Sequence, residues 1–220
     1  MTIISFDLDG TLVTEDFTQT VWHQGIPELY AKHNGCDLDR ARELVIEQYS
    51  SVGDDALEWY DIHYWLKHFQ LEAGWRDLLG KFIHCIATYP EVHEVLSHLS
   101  RNYHLIITSN AAREFLDLEI EKANIAAYFG HVFSATTDFR EVKKNPALYL
   151  KILDMLNANH AEVIHVGDHH RFDYLVPREL GISSYHLDRS AQQDGPYTVR
   201  NLGEFVRKVE TAADASPPHA

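Results

Sequence analysis

Short apolar runs that each end in a polar cluster recur along the chain. They are IISFDLDG at the start, HLIITSN at 104–110, GHVFSATT at 130–137, EVIHVGD at 162–168 and GISSYHLD at 181–188. Runs of this length, bounded by polar residues, predict buried strands. Between them the apolar spacing is helical: Val92, Val95, Leu96 and Leu99 follow i, i+3, i+4, i+7, and Tyr149, Ile152, Leu153 and Leu156 repeat it. Strands alternating with amphipathic helices predict an α/β fold, a doubly wound parallel sheet with helices on both faces. In such a sheet ligands bind outside the carboxyl ends of the strands. The polar clusters should therefore converge in space although they are far apart in sequence.

Residues 14–88 break the alternation. They contain no clear strand, and Gly25, Gly35, Gly53 and Gly74 divide them into segments of helical character, with Trp59, Ile62, Leu66 and Phe69 on one apolar stripe. A helical subdomain inserted after the first strand is the expectation, giving a core of residues 1–13 and 89–210 and a cap of residues 14–88. Residues 211–220, TAADASPPHA, are small, polar and proline-bearing and are expected to form a flexible tail. A chain of 220 residues has room for such a core with an insert.

Composition narrows the function classes. Hydrophobic residues make up 45% of the chain and aromatic residues 11%, values of a folded globular protein. The formal charge of -14 comes from 33 acids against 19 bases, spread along the sequence. That surface disfavours nucleic acid and anionic membrane, but it admits a small anionic substrate where a site supplies local positive charge. Cys36 and Cys85 are the only cysteines, and no apolar leader or run near 18 residues accompanies them. Reduced thiols in a cytoplasmic protein are expected, buried as small hydrophobes rather than acting as nucleophiles.

The strand ends carry the chemistry. Asp7 and Asp9 lie two apart on an extended segment, so their side chains leave it on the same side. Left alone they repel each other, and a cation beside them relieves this. Ser109 and Asn110 close the second run, Lys143 and Lys144 precede a helix, and Asp168 and Asp173 belong to GDHHRFD. Carboxylates gathered with a hydroxyl and an ammonium suit a hard divalent cation, Mg2+, and a phosphoryl group. An aspartate can itself act as the nucleophile, forming an aspartyl-phosphate. The fifteen histidines show no tetrahedral ligand spacing, so zinc is not expected.

DLDGT at 7–11, the strand into Ser109-Asn110, a lysine ahead of Pro146, and Gly167-Asp168 followed five residues later by Asp173 resemble the four ordered motifs of the haloacid dehalogenase superfamily. The flanking YPEVHEVLSHL, NPALYLKIL and DYLVPRELGI resemble it too, so the likeness covers residues 1–15 and 88–190. It implies a Rossmann-like core, and the insert matches the superfamily's helical cap in position and character. Asp7 would be the nucleophile and a metal ligand. Asp9 would be the general acid and base, lending its backbone carbonyl to the metal. Dehalogenases of the superfamily lack an acid at this second position, so Asp9 points to phosphoryl transfer. Thr11 would shape the turn with Gly10 and lie at the phosphate, which Ser109 and Asn110 would hold. Lys143 would offset the charge of nucleophile and phosphoryl group. Asp168 would ligate Mg2+, and Asp173 would support the metal site or hold the lysine.

Three departures stand out. The usual lysine-proline-x-proline reads Lys143-Lys144-Asn145-Pro146, and the spacing back from Pro146 selects Lys143. Glu91 replaces a usual glycine, a change expected to be harmless, and His169 stands where a serine is common. In the insert, Trp59, His63, Trp65 and Trp75 are expected to pack within the cap rather than line a pocket. The resemblance thus implies a Mg2+-dependent phosphatase that hydrolyses a small phosphomonoester through phospho-Asp7. Its partner would be a small phosphorylated metabolite, with no nucleic acid and no membrane. A sugar phosphomutase on the same scaffold, or a non-catalytic phosphate-binding regulatory module, are the alternatives.

Overall fold

The structure, a computed structural model, describes residues 2–214. Each of the five apolar runs contains a strand: β1 (Ile3–Phe6), β2 (His104–Ser109), β3 (His131–Ser134), β4 (Val163–Gly167) and β5 (Ser183–Leu187). A sixth, β6 (Thr198–Val199), is too short to show a period. All pair in parallel in the order β3-β2-β1-β4-β5-β6. The chain winds outward from β1 to β3, returns, and winds the other way through β4, so the switch point of the sheet lies at β1, where a crevice opens. Phe6 pairs with both Ile107 and Val166. Asp7, the next residue, therefore emerges between the ends of β2 and β4.

Alternation along β1 assigns its two faces. Ile4 and Phe6 enter a core built with Val95 and Leu96 of one helix (Val92–Leu99) and Phe205 of another (Leu202–Asp214). The Phe6 and Phe205 rings meet edge to face at 6.0 Å. Ile3 points to the opposite face, against Leu148, Ile152 and Leu153 of the helix Pro146–Met155. That helix starts where Asn145 accepts from Leu148 N–H at 2.9 Å, with Pro146 fixing the first turn. Each large apolar side chain so buried contributes about 1.5–3 kcal/mol.

Helices occupy the insert: α1 (Asp16–Thr20), α2 (Ile26–Asn34), α3 (Leu38–Val52), α4 (Leu57–Tyr60), α5 (Ile62–His68) and α6 (Trp75–Phe82). They enclose their own apolar cluster around Phe17, Val45, Trp65, Leu79 and Phe82, to which Phe115 of the helix Arg113–Lys122 is added from the sheet domain. The Trp59–Phe69 stripe is split at Asp61, whose carboxylate accepts from His63 N (2.8 Å) and Tyr64 N (3.2 Å) and starts α5.

Gly25 does not divide helices. It lies in a π-helical turn, Val21–Gly25, that joins α1 to α2, and a Cβ there would stand 2.7 Å from the Phe82 ring. Its role is to let α6 pack close.

The last helix runs to Asp214, so residues 211–214, expected in the tail, are helical; Thr211 donates to Arg207 O at 2.8 Å. The rest of that tail lies outside the described residues. Cys36 and Cys85 are unpaired and half-buried rather than core residues. No helix among the described residues is long and apolar enough to cross a membrane.

Candidate active site

Asp7 is pinned at the sheet's edge by its own N–H, which donates to Val166 O at 3.0 Å. The chain then turns back: the N–H groups of Thr11, Leu12 and Val13 all donate to Leu8 O, at 3.2, 2.8 and 3.1 Å. Gly10 makes the turn possible at φ +72°, and a Cβ there would fall 2.5 Å from Asp168 Oδ2. Outside the turn, Arg189 donates to Gly10 O (3.2 Å) and Thr11 O (2.8 Å) and pairs with Glu91 Oε1 (2.9 Å). Glu91 also accepts from Leu202 N–H at 3.2 Å. The residue expected to be a harmless replacement thus ties the motif turn to the last helix.

Asp7, Asp168 and Asp173 come together, each offering an oxygen within 4.8 Å of the others. The lysine beside them is Lys144, whose ammonium lies 2.5 Å from Asp7 Oδ1, bonds Asp173, and donates to Thr108 O at 3.4 Å. Lys143, selected by spacing, is corrected: its ammonium leaves the site for Asp54 (3.1 Å) and Asp55 (2.7 Å) in the loop after α3. Lys143 adopts φ +59°, a left-handed conformation in which the chain twists and sends the next side chain inward. The family spacing presumes a proline at that next position, and proline cannot signal which way a lysine there would point.

A buried polar line lies under the site. Thr108 Oγ1 and Ser5 Oγ are 3.0 Å apart, His165 Nδ1 is 2.9 Å from Ser5 Oγ, and His165 Nε2 is 3.0 Å from Asp173 Oδ1. His169 N–H donates to Asp173 Oδ2 at 3.0 Å. Both oxygens of Asp173 are therefore engaged, one by Lys144 and His165, the other by the backbone. Ser5, Thr108 and His165 escaped the sequence analysis. Their signal was present as a polar residue inside each apolar run, but only strand pairing, Ser5 opposite His165, brings them into one line.

The electrostatics divide the acids. Burial alone would raise Asp173, but Lys144 and His165 overcome it and hold the carboxyl well below its usual range. Burial likewise opposes the Lys144 charge, and Asp173 and Asp7 keep that ammonium above its ordinary value. Burial, then Asp7 and Asp173, push Asp168 up to about 8. Asp7 is raised by burial against the pull of Lys144. One ammonium thus leaves negative charge on Asp7 and Asp168 uncompensated. Oxygen donors with excess negative charge fit a hard divalent cation such as Mg2+.

Asp9's carboxyl stands apart from that trio and faces the cap, accepting from Thr18 Oγ1 at 3.3 Å. Burial and then Asp7 bring it to about 7. Beside it Glu119, fully buried, is pushed well above its ordinary value by burial and then by Asp9; nothing in the sequence marked it.

Thr11, expected at the phosphate, is instead buried beneath Asp7, its hydroxyl 3.5 Å from Asp7 Oδ2 and outside the cavity lining. Ser109 and Asn110 do line the cavity; Ser109 Oγ accepts from Ala111 N–H at 3.0 Å, leaving its own hydrogen to donate.

The cavity above these groups measures about 370 Å³ and is roofed by Trp22, Tyr49, Trp59, Tyr60 and Phe115. Of the four cap residues singled out by sequence, Trp65 is core, Trp59 lines the cavity, His63 bonds Glu114 at 2.9 Å, and Trp75 borders a separate surface groove.

Residues 1–181 match the haloacid dehalogenase-like hydrolases. The haloacid dehalogenase-like hydrolase domain-containing protein 3 of Danio rerio is 41% identical over 83 residues, 35% of this chain and 34% of that protein. A GMP/IMP nucleotidase of Escherichia coli is 32% identical over 69 residues, 31% of each chain. The matched stretch thus spans only 34% and 31% of the length of these two relatives. The phosphoglycolate phosphatase of Aquifex aeolicus is 27% identical over 179 residues, 76% of each chain. Among solved structures, a HAD phosphatase from Thermococcus onnurineus superposes with a TM-score of 0.83 over 95% of this chain and 98% of that one, at 23% identity. A 2-haloacid dehalogenase from Pseudomonas syringae pv. Tomato gives 0.68 over 96% and 99%, at 18% identity. The family match runs from the first strand through all four motifs and past Asp173, and the fold agrees with it: this chain belongs to the haloacid dehalogenase-like hydrolases.

Proposed function

We propose that this chain is a magnesium-dependent phosphatase that hydrolyses small phosphomonoesters through an aspartyl-phosphate on Asp7. The observation that carries the reading is a second carboxyl, Asp9, on the same cavity as Asp7 but held away from the acid trio by Thr18. Phosphoryl transfer needs such a group, because the leaving alcohol must gain a proton and the attacking water must lose one. In the first step an Asp7 oxygen bonds to phosphorus, the ester P–O bond breaks, and the alcohol oxygen takes the Asp9 proton. In the second, water bonds to phosphorus and returns a proton to Asp9 while the P–O bond to Asp7 breaks, releasing inorganic phosphate.

A carboxyl near 7 suits both proton transfers at neutral pH. Lys144 stays charged throughout and offsets the charge of Asp7 and the phosphoryl group, while Ser109 donates to a phosphoryl oxygen. Asp7 and Asp168 would hold Mg2+, and Asp173 anchors the lysine. The metal, when bound, supplies positive charge to the phosphoryl oxygens. The relatives named as a phosphatase and a nucleotidase support the reading, and Asp9 favours phosphoryl transfer over dehalogenation. A panel of phosphorylated metabolites, assayed for phosphate release with and without Mg2+, tests it. Magnesium-dependent release is expected, and its absence across the panel overturns the proposal.

A further inference from the structure

We infer that the ester this site prefers carries an uncharged leaving group with a flat aromatic ring, and that phosphorylated hydroxy acids are poor substrates. The inference rests on the phosphatase reading and extends it to the part of the substrate that the cap touches.

Two features of the cavity carry it. The first is the roof. Trp22 and Phe115 stack with ring centroids 5.1 Å apart and planes 25° from parallel, and Tyr49 stands edge-on to Trp22 at 6.0 Å and to Trp59 at 5.9 Å. Trp22, Trp59 and Tyr60 remain half-exposed while lining the cavity, whereas Trp65 and Phe17 in the same cap are fully buried. Open aromatic surface facing a concave cavity is satisfied by an apolar, flat group. A cavity of about 370 Å³ has room for a ring beside a phosphoryl group.

The second is charge. Among the described residues, Lys144 is the one lysine or arginine in the lining, and its ammonium is committed to Asp7 and Asp173. Facing the same space are Asp7, Asp9, Glu15, Asp168 and Asp173. Lys143, near Tyr60, lies outside the lining and is held by Asp54 and Asp55. The remaining lining groups able to carry positive charge are His23 and His169, both exposed, and the phenols of Tyr49 and Tyr60 are pushed up by burial. A carboxylate on the leaving group would enter an acid-lined cavity with no free lysine or arginine to pair it, which desolvation penalises.

The test uses the full chain with Mg2+ and three esters: 2-phenylethyl phosphate, 2-hydroxyethyl phosphate and 2-phosphoglycolate. The expected order of kcat/KM is that order, with about tenfold or more between the first and the last. Trp59→Leu should narrow that ratio by removing ring contact, and His23→Arg should narrow it by bringing a cation to the mouth. Equal or better turnover of 2-phosphoglycolate overturns the inference and leaves the phosphatase reading standing. If none of the three esters is turned over, the metabolite panel decides the phosphatase reading, and tryptophan fluorescence titration decides the inference separately. The phenylethyl ester should then bind about tenfold tighter than 2-phosphoglycolate, and equal or weaker binding overturns it.

Discussion

His165 Nε2 stands 3.0 Å from Asp173 Oδ1, and neither side chain reaches solvent. Because the carboxylate only accepts, Nε2 carries the proton, and the imidazole bridges the acid to Ser5 within the sheet. Truncating it leaves Asp173 and the Ser5 hydroxyl short of partners in a dry interior. His165→Ala should therefore destabilise the fold by about 3 kcal/mol, near the lower end for breaking a buried charged contact, because Lys144 still holds Asp173. Urea denaturation at neutral pH measures this, and a change within about 0.5 kcal/mol would show that the line is not structural.

The two adjacent lysines should separate cleanly. Lys144→Ala removes the ammonium bonded to Asp7 and should lower turnover by about 10²–10³, the usual loss when one such electrostatic group is deleted. Lys143→Ala removes contacts to two exposed cap acids and to the Phe172 ring, and should change turnover by less than about threefold. A large loss confined to Lys143→Ala would contradict the assignment.

On the proposed mechanism, Asp7 and Asp9 should have separable roles. Asp7→Asn should abolish turnover in a folded protein, since the attacking charge is gone. Asp9→Asn should cost about 10²–10⁴ in rate, the worth of a positioned acid and base, while Mg2+ binding measured by calorimetry persists. Near-normal turnover in Asp9→Asn would move the proton transfers to another group.

Metal and pH should be linked through the acid trio. Asp168 and Asp9 are raised in the folded state, to about 8 and about 7, so the stability they contribute is complete below the unfolded carboxyl range and is lost as pH rises through those values. Asp173 is lowered, so its contribution is present above the unfolded range and is lost only in strong acid. In a chelator, Tm should fall between pH 5 and pH 8, and Mg2+ should recover most of the fall by neutralising Asp7 and Asp168. Asp168→Asn should raise the chelated Tm at pH 8. A chelated protein that gains stability from pH 5 to pH 8 would show that the trio carries no excess charge.

Much of this protein is legible in the order of its residues. Five apolar runs became the five long strands because a buried strand needs a short continuous apolar segment, and the 3.6-residue spacing around Val92 and Tyr149 became helices packed on opposite faces. DLDGT placed Asp7 and Asp9 at a strand end, since the turn that follows is set by its own Gly10.

What the chain order left open are the choices that depend on distant partners. Whether Lys143 or Lys144 enters the site turns on one left-handed residue and on Asp54 and Asp55, about ninety positions away. The His165–Ser5–Thr108 line exists only once three strands pair in register, and Gly25 reads as a break until Phe82 is seen against it. Local spacing dictates which face of an element is apolar, because burial acts on each element separately. The direction of a single polar side chain is dictated by the charges and hydrogen-bonding groups that folding brings beside it.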